Sequence, residues 1–239
     1  MTPQQLRASI LQLAVQGKLA AQRPEEGTGG ELYAQIQQEK QKLIAAGKLK
    51  KEKPLLEITE DEIPFEIPES WKWCYIGDIF QHNTGKALNA SDNVGLKLTY
   101  ITTSNLYWNK FVLDKLNEMY FTNEEINKCT VKKGDLLVCE GGDFGRAAIW
   151  QDDKPMRIQN HIHRLRAYLD VDIYYFYYIF FLYKTSNRIR GKGIGLKGLS
   201  SQVLHKLKVP LPPLAEQKRI VARLQELLPL CGRLSQMNA

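Results

Sequence analysis

The chain has 239 residues, 44% of them hydrophobic and 25% charged, enough for one large domain or one medium domain with helical additions around a core of useful size. Its four cysteines (Cys74, Cys129, Cys139 and Cys231) form no CxxC pair or metal-finger spacing, and its longest apolar run, residues 173–183, is shorter than the roughly 20 residues a bilayer span needs. The N-terminus lacks the continuous apolar core of a secretory signal, so free thiols in a cytoplasmic protein are expected.

Net charge is +7, and it is unevenly placed. Between Arg157 and Lys208 ten Lys+Arg stand against two acids, Asp170 and Asp172, a local +8; the remainder nets −1, with 23 bases against 24 acids. Such a stretch suits a polyanion-facing surface, and equally a solvated basic face.

In chain order, Thr2 and Gln5 stand in capping-box register with Pro3 at the first helical position. Leu6, Ile10, Leu13 and Ala14 form one stripe of this first helix, and Gly17 stops it. Thr28 and Glu31 repeat the capping box for a second helix, lined by Leu32, Ile36, Leu43 and Ile44 and ended by Gly47. The basic "KLKKEKP" reads as a linker, and residues 54–70, with three prolines, as an extended surface connection. From Trp71 the pattern turns to strands: residues 96–108, the stretch after Gly134, residues 146–150, and an alternating run at 158–169. Asp172 caps an aromatic helix over 173–187, Ser200 or Ser201 caps a short helix to about Lys206, and "KLKVPL" is a strand. Pro212–Pro213 then launch a last helix, which Pro229 should end or kink near Gln225. Its seam is Leu214, Ile220, Val221, Leu224, Leu227 and Leu228, with Glu216, Gln217, Lys218, Arg219 and Arg223 on a wet face; the first helix is one candidate partner. The whole reads as α+β. It divides into residues 1–53 (helical region and basic linker), 54–211 (a mixed α/β domain) and 212–239 (a terminal helix).

Several stretches could carry chemistry. "GIGLKG" places Gly193, Gly195 and Gly198 in GxGxxG spacing, but after a helix and without βαβ alternation, so a flexible loop bearing Lys192 and Lys197 fits better than a nucleotide site. "EGGDFGR" lacks the companions of a kinase and the x-Lys of a metal nuclease; it reads as a hairpin turn needing positive φ, and more sharply as a DNA-facing tip carrying Arg146. In "QNHIHR", alternation puts His161 and His163 on one strand face with Gln159, and Asn160 and Arg164 on the other. Structural histidines and nucleic-acid contact both remain open there. Asn and Gln bond bidentately to adenine and Arg to guanine, whereas two histidines with no third ligand make a poor zinc site.

"VPLPPLAEQKRIVARLQELL" resembles the conserved-region signature of type I restriction–modification specificity subunits, and "LRASILQLAVQGKLAAQ" resembles the matching segment on the other side of a target-recognition domain. "GDLLVCEGG…GRAAIW…QNHIHRLR" and "GLKGLSSQVLHKLKVPLPPL" resemble that domain's body and exit. The resemblance implies a non-catalytic subunit that reads half of a bipartite double-stranded DNA site and docks methyltransferase subunits, with restriction subunits joining the larger complex. This chain holds one recognition domain where the family has two, so a half-subunit acting as a homodimer, or the front half of a longer product, is expected. Loops near 86–92, 104–109, 141–146 and 190–198 would face the DNA. The candidate contacts are Lys86, Ser104, Asn105, Arg146, Gln159, Asn160, Arg164, Arg190, Lys192 and Lys197. The candidate subunit interface is Leu6, Ile10 and Leu13 with Leu214, Ile220, Val221, Leu224, Leu227 and Leu228. No metal or cofactor is expected on this chain; S-adenosylmethionine would sit on the methyltransferase, whose catalytic tetrapeptide is absent here. The alternative is a stand-alone nuclease or nucleotide-dependent enzyme using "EGGDFGR" and "GIGLKG".

Overall fold

The computed structural model describes residues 2–51, 53–89, 91, 93–189 and 198–237. In chain order it contains α1 (Pro3–Val15), α2 (Gly29–Ala45), β1 (Lys72–Tyr75), α3 (Ile76–Ile79), β2 (Phe80–Thr84), β3 (Leu96–Ile101), β4 (Leu106–Tyr107), β5 (Lys110–Phe111) and β6 (Asn117–Phe121). There follow α4 (Asn123–Cys129), β7 (Thr130–Val131), β8 (Leu136–Cys139), β9 (Ala147–Ile149), β10 (Met156–Ile158), β11 (Ile162–Ala167), α5 (Ile173–Thr185), α6 (Ser201–His205), β12 (Lys208–Leu211) and α7 (Leu214–Met237). The fold is α+β, and all four cysteines are free and buried.

The chain packs into two units, neither continuous in sequence. A helical unit comprises Met1–Ile79, Tyr168–Ser186 and His205–Ala239; a β-rich unit comprises Phe80–Ala167 and Asn187–Leu204. Packing therefore does not follow the divisions at 53/54 and 211/212. β1 and β12 pair antiparallel, Lys72 opposite Leu211, inside the helical unit, because Trp71, Cys74, Tyr75, Val209 and Leu211 bury their apolar side chains there.

In the helical unit both capping boxes form. The Gln5 and Glu31 amides donate to Thr2 Oγ1 (3.2 Å) and Thr28 Oγ1 (3.1 Å), and the glutamine and glutamate side chains reach back to the threonine amides at 2.8 Å each. α1 packs on both α5 and α7. The buried face of α1 is Leu11, Ala14 and Val15; Leu6 and Ile10 are half-buried and Leu13 is 40% exposed, so the stripe is rotated from the one read in the sequence. On α7, Ile220, Val221 and Leu224 are buried within the chain itself and are not open to a second copy, while Leu214, Leu227 and Leu228 are half-buried.

Two expectations for α7 are corrected. It runs on through Pro229 to Met237, so of the end or kink expected near Gln225 the end does not occur. The proline removes one backbone bond, and the exposed position of Gln225 leaves its carbonyl open to water. Glu216 and Gln217 do not sit on a wet face but are 1% and 0% exposed. Glu216 accepts from the indole Nε1 of Trp71 (2.9 Å) and from Nε2 of Gln22 (2.6 Å). Gln217 donates to the Pro212 carbonyl (3.0 Å) and accepts from the amide of Asp172 (2.9 Å), the residue that caps α5. This explains why a proline pair is followed by Leu-Ala-Glu-Gln. The prolines bring no amide hydrogens to satisfy, and the two polar side chains fasten the start of α7 to the start of α5 and to Trp71.

The β-rich unit holds two four-stranded sheets, ordered β6-β3-β10-β7 and β2-β11-β8-β9, and the β4–β5 hairpin. All pairings are antiparallel except β10 on β3. One core joins them: Ile101, Leu106, Val131, Leu137, Cys139, Ala148, Trp150, Ile158 and Ile162. The alternating run at 158–169 is not one strand. β10 stops at Ile158, residues Gln159 to His161 turn, and β11 begins at Ile162 in the other sheet. Period-two patterning continued through a turn, and the sequence offered no glycine or proline to mark it.

Candidate nucleic-acid interface

Several strand ends of the β-rich unit converge around that turn. The Gln159 amide donates to Ile101 O (3.0 Å) and the Asn160 amide to Lys86 O (2.9 Å), while Ile162 N closes the turn on Gln159 O (3.0 Å). Lys86 N donates to Ile158 O, Glu140 N to His161 O and Leu199 N to Glu140 O. The exits of β2, β3, β8 and β10 and the entry to α6 are thus laced together by main-chain bonds. Gly85 makes this possible: a Cβ there would lie 2.0 Å from Ile158 O and 2.4 Å from Gln159 O.

The 103–115 hairpin is joined to the same place. Asn105 is its knot, with its Oδ1 accepting from Thr102 N (2.9 Å) and Oγ1 (3.1 Å) and its Nδ2 donating to the Val112 (2.9 Å) and Lys115 (3.1 Å) carbonyls. "TTSN" is a capping-box spacing with Asn in the last place, a signal that could have found this role. Ser104 stays exposed, its hydroxyl 2.7 Å from Thr102 Oγ1. Arg146 crosses from the β8–β9 loop, donating to Thr103 O (2.8 Å), standing 3.6 Å from Asp143 and lying over the Tyr107 ring at 5.1 Å. Asn109 N adds a bond to Ala147 O (3.1 Å). The loop itself is the hairpin turn expected, with Gly142 at φ +65° and Gly145 at φ +82°. Tyr107, 45% exposed, was not singled out from sequence, where a lone aromatic beside Trp108 has no periodic signature.

Not every expected contact residue is available. Lys86 Nζ is held inside, donating to Glu125 (2.8 Å) and the Tyr120 carbonyl (2.9 Å) with 8% of the side chain exposed, and that bond keeps the Glu125 carboxyl below its usual range. Arg164 is 2% exposed; its guanidinium donates to the carbonyls of Lys128 (3.0 Å) and Thr130 (2.7 Å), and burial lowers its pKa to about 10. It ties α4 and β7 to the sheet and does not reach a base. Two neighbours in the basic run are similarly engaged: Arg166 forks onto Asp135 (2.6 and 2.8 Å), and Arg157 donates to Thr99 and Pro155. Gln159 and Asn160 are half-buried at the turn. Arg190, Lys192 and Lys197 lie outside the described residues, as do Gly193 and Gly195.

His161 and His163 part company. His161 is exposed, its Nδ1 3.7 Å from Glu140. His163 is fully buried, its Nε2 2.6 Å from Leu199 O and its Nδ1 2.9 Å from Nε2 of His82. A carbonyl only accepts, so His163 carries its proton on Nε2, and in the neutral ring Nδ1 accepts from His82. Burial lowers the His163 pKa, opposed by the Leu199 bond and by Glu140. The pair anchors Leu199 to β11. Among the described residues no group of three or more His, Cys, Asp or Glu could hold a metal ion.

The charge also concentrates in this unit. It carries 16 Lys+Arg and 10 Asp+Glu, hence +6 of the chain's +7; the helical unit has 17 and 16. Lys110 and Lys115 are exposed on the 103–115 hairpin. A laced rim with fixed main chain, an exposed aromatic and surface lysines is an arrangement able to meet a phosphate backbone and present side chains to base edges.

Comparison with known proteins points the same way. The chain is 33% identical to the EcoAI specificity subunit of Escherichia coli over 96% of its own length and 40% of that protein's. It is 28% identical to the EcoEI specificity subunit of the same organism over 96% and 41%. It therefore spans about two fifths of the length of these curated relatives. Its fold resembles the HsdS subunit of Thermoanaerobacter tengcongensis with a TM-score of 0.57 at 16% identity, covering 88% of this chain and 47% of that one. The family model for the type I restriction modification DNA specificity domain matches residues 68–235, and the chain belongs to that family.

Proposed function

We propose that this chain recognises DNA sequence for a type I restriction–modification complex, reading one half of a bipartite duplex site. In this reading it docks methyltransferase subunits and, through them, restriction subunits, and works as a pair of copies. It catalyses nothing; S-adenosylmethionine belongs to the methyltransferase. The observation that carries the reading is the rim: four strand exits and a lysine-bearing hairpin laced together on the unit that holds nearly all the net charge. Exposed Leu13 on α1, and Leu230 (42%) and Leu234 (43%) on α7, support the pairing of copies.

Binding to random-sequence duplexes across a salt series tests the electrostatic part. Log affinity should fall linearly with log salt, and Lys110→Ala with Lys115→Ala should flatten the slope by about 2, since each phosphate that a lysine neutralises adds about 0.9. An unchanged slope removes the hairpin from the interface. Leu230→Lys with Leu234→Lys should convert a sedimenting dimer to monomer; a wild-type monomer at micromolar concentration ends the homodimer reading. Methylation mapped with the methyltransferase present should then show an interrupted palindrome, because protein symmetry is mirrored in the site.

A further inference from the structure

Four of the asparagines of the β-rich unit differ in what the fold asks of each. Asn105 is required by four hydrogen bonds. Asn109 and Asn187 occupy positive φ (46° and 58°), where asparagine is tolerated better than most residues. Asn160 has neither reason. Its φ is not positive, its side chain makes no hydrogen bond among the described residues, and the residue is half-buried. Yet its main chain is among the most constrained on the rim. Asn160 and His161 are the two corner residues of the turn closed by Ile162 N on Gln159 O, and that turn is tied to β2 through Lys86, to β3 through Ile101 and to the end of β8 through Glu140. Gly85 is packed beneath it. Gln159, also without a side-chain bond, is instead bridged flat against Lys86 before the corner.

An unpaired carboxamide on an immobile corner suits one ligand edge especially well. It offers a donor and an acceptor in one plane, matching adenine N7 and N6 in the major groove. Because the main chain is already ordered, only the side-chain torsions are lost on contact. The Arg that sequence alternation placed beside it, Arg164, is buried, so the guanine-reading partner on that face is gone.

Resting on the DNA-recognition reading above, we propose that Asn160 is a specificity-determining residue that reads one adenine of the target through its side-chain amide. The test is selection of bound duplexes from a randomised library with the full chain, wild type and Asn160→Ala, followed by affinity measurements on the selected site. Alanine fits the backbone here, and an unchanged thermal midpoint confirms that the variant is folded. Wild type should enrich a motif with one adenine position that Asn160→Ala reads without preference, all other positions being kept, with about tenfold discrimination lost. Replacing that adenine by 7-deazaadenine should weaken wild-type binding and leave Asn160→Ala unaffected. Two outcomes would overturn the proposal while leaving DNA recognition intact: a motif unchanged by the substitution, or a uniform loss of affinity at every position. A wild-type chain that enriches no motif overturns both.

Discussion

The two units bury polar side chains for opposite reasons. In the helical unit Glu216 and Gln217 sit on an amphipathic helix where a wheel puts them in water, and each is hydrogen-bonded to at least one group distant in sequence: Glu216 to Gln22 and Trp71, Gln217 to Asp172. They hold α5, α7 and Trp71 in register. In the β-rich unit Lys86, Arg164 and Arg166 look from sequence like hands held out to a polyanion, and they too are turned inward, onto Glu125, main-chain carbonyls and Asp135. What the rim presents among the described residues is smaller and mostly neutral: exposed Ser104, Tyr107 and His161 and half-buried Asn160, with Lys110 and Lys115 exposed on the hairpin. Basic residues in a DNA specificity domain are therefore not counted as contacts until their hydrogen bonds are known.

That contrast can be broken from either side. The largest effect is expected for Arg166→Met, which leaves Asp135, 2% exposed, without its cation; about 3–5 kcal/mol should be lost in urea unfolding, reported by hydrogen exchange in β8 and β11. Gly85→Ala should follow at about 3 kcal/mol, since both atoms its Cβ meets are main-chain oxygens that cannot swing aside. Here the local signal is the telling one: exchange should rise first at the Lys86, Gln159 and Asn160 amides. Glu216→Ala strands the buried indole N–H of Trp71 and should cost about 2 kcal/mol, read from the melting of the helical unit with the rim amides still protected. Equal loosening of the rim would show that the polar lock is not confined to its own unit.

The smallest effect is a pH dependence. His163 has a folded pKa below its unfolded value near 6.5, so the unfolded chain binds the extra proton first. Its contribution is complete above about pH 6.5 and declines as pH falls from there through the lowered folded value. The difference in stability between wild type and His163→Gln should therefore shrink on going from pH 7.5 to 5.5, by about 1 kcal/mol or less. A difference that is constant with pH would mean that His163 has the same pKa folded and unfolded, and one that grows toward low pH that the buried ring is charged.

The elements whose evidence is local were legible in the sequence. Both capping boxes, the Asp172 cap, the glycine stops at Gly17 and Gly47 and the β8–β9 hairpin all follow from neighbours within four residues. The turn at Gln159–His161 was not, because its bonds run to Lys86, Ile101 and Glu140, which are far away in sequence and leave the local alternation untouched. The burial of Glu216 has the same origin: its partners are Gln22 and Trp71. Two of the loops expected from sequence, 104–109 and 141–146, are joined into one rim by Arg146 and Asn109. Which side chains on those loops stay free is a property of the assembled main chain and has no sequence period.

The four crossings of the chain between its units, at 79/80, 167/168, 186/187 and 204/205, mean that no single contiguous segment carries the β-rich unit alone. A single exchanged segment that includes the whole β-rich unit, residues 80–204, also carries α5. That helix is no passenger, since seven of its thirteen residues are buried and it packs on α1 and α7. A donor segment must therefore bring an aromatic helix that the recipient's α1 and α7 can accept, and a Thr or Ser in place of Tyr175 or Phe180 would spoil a graft whose loops were sound. Any exchange of the β-rich unit as one segment is then limited first by the fit of one buried helix.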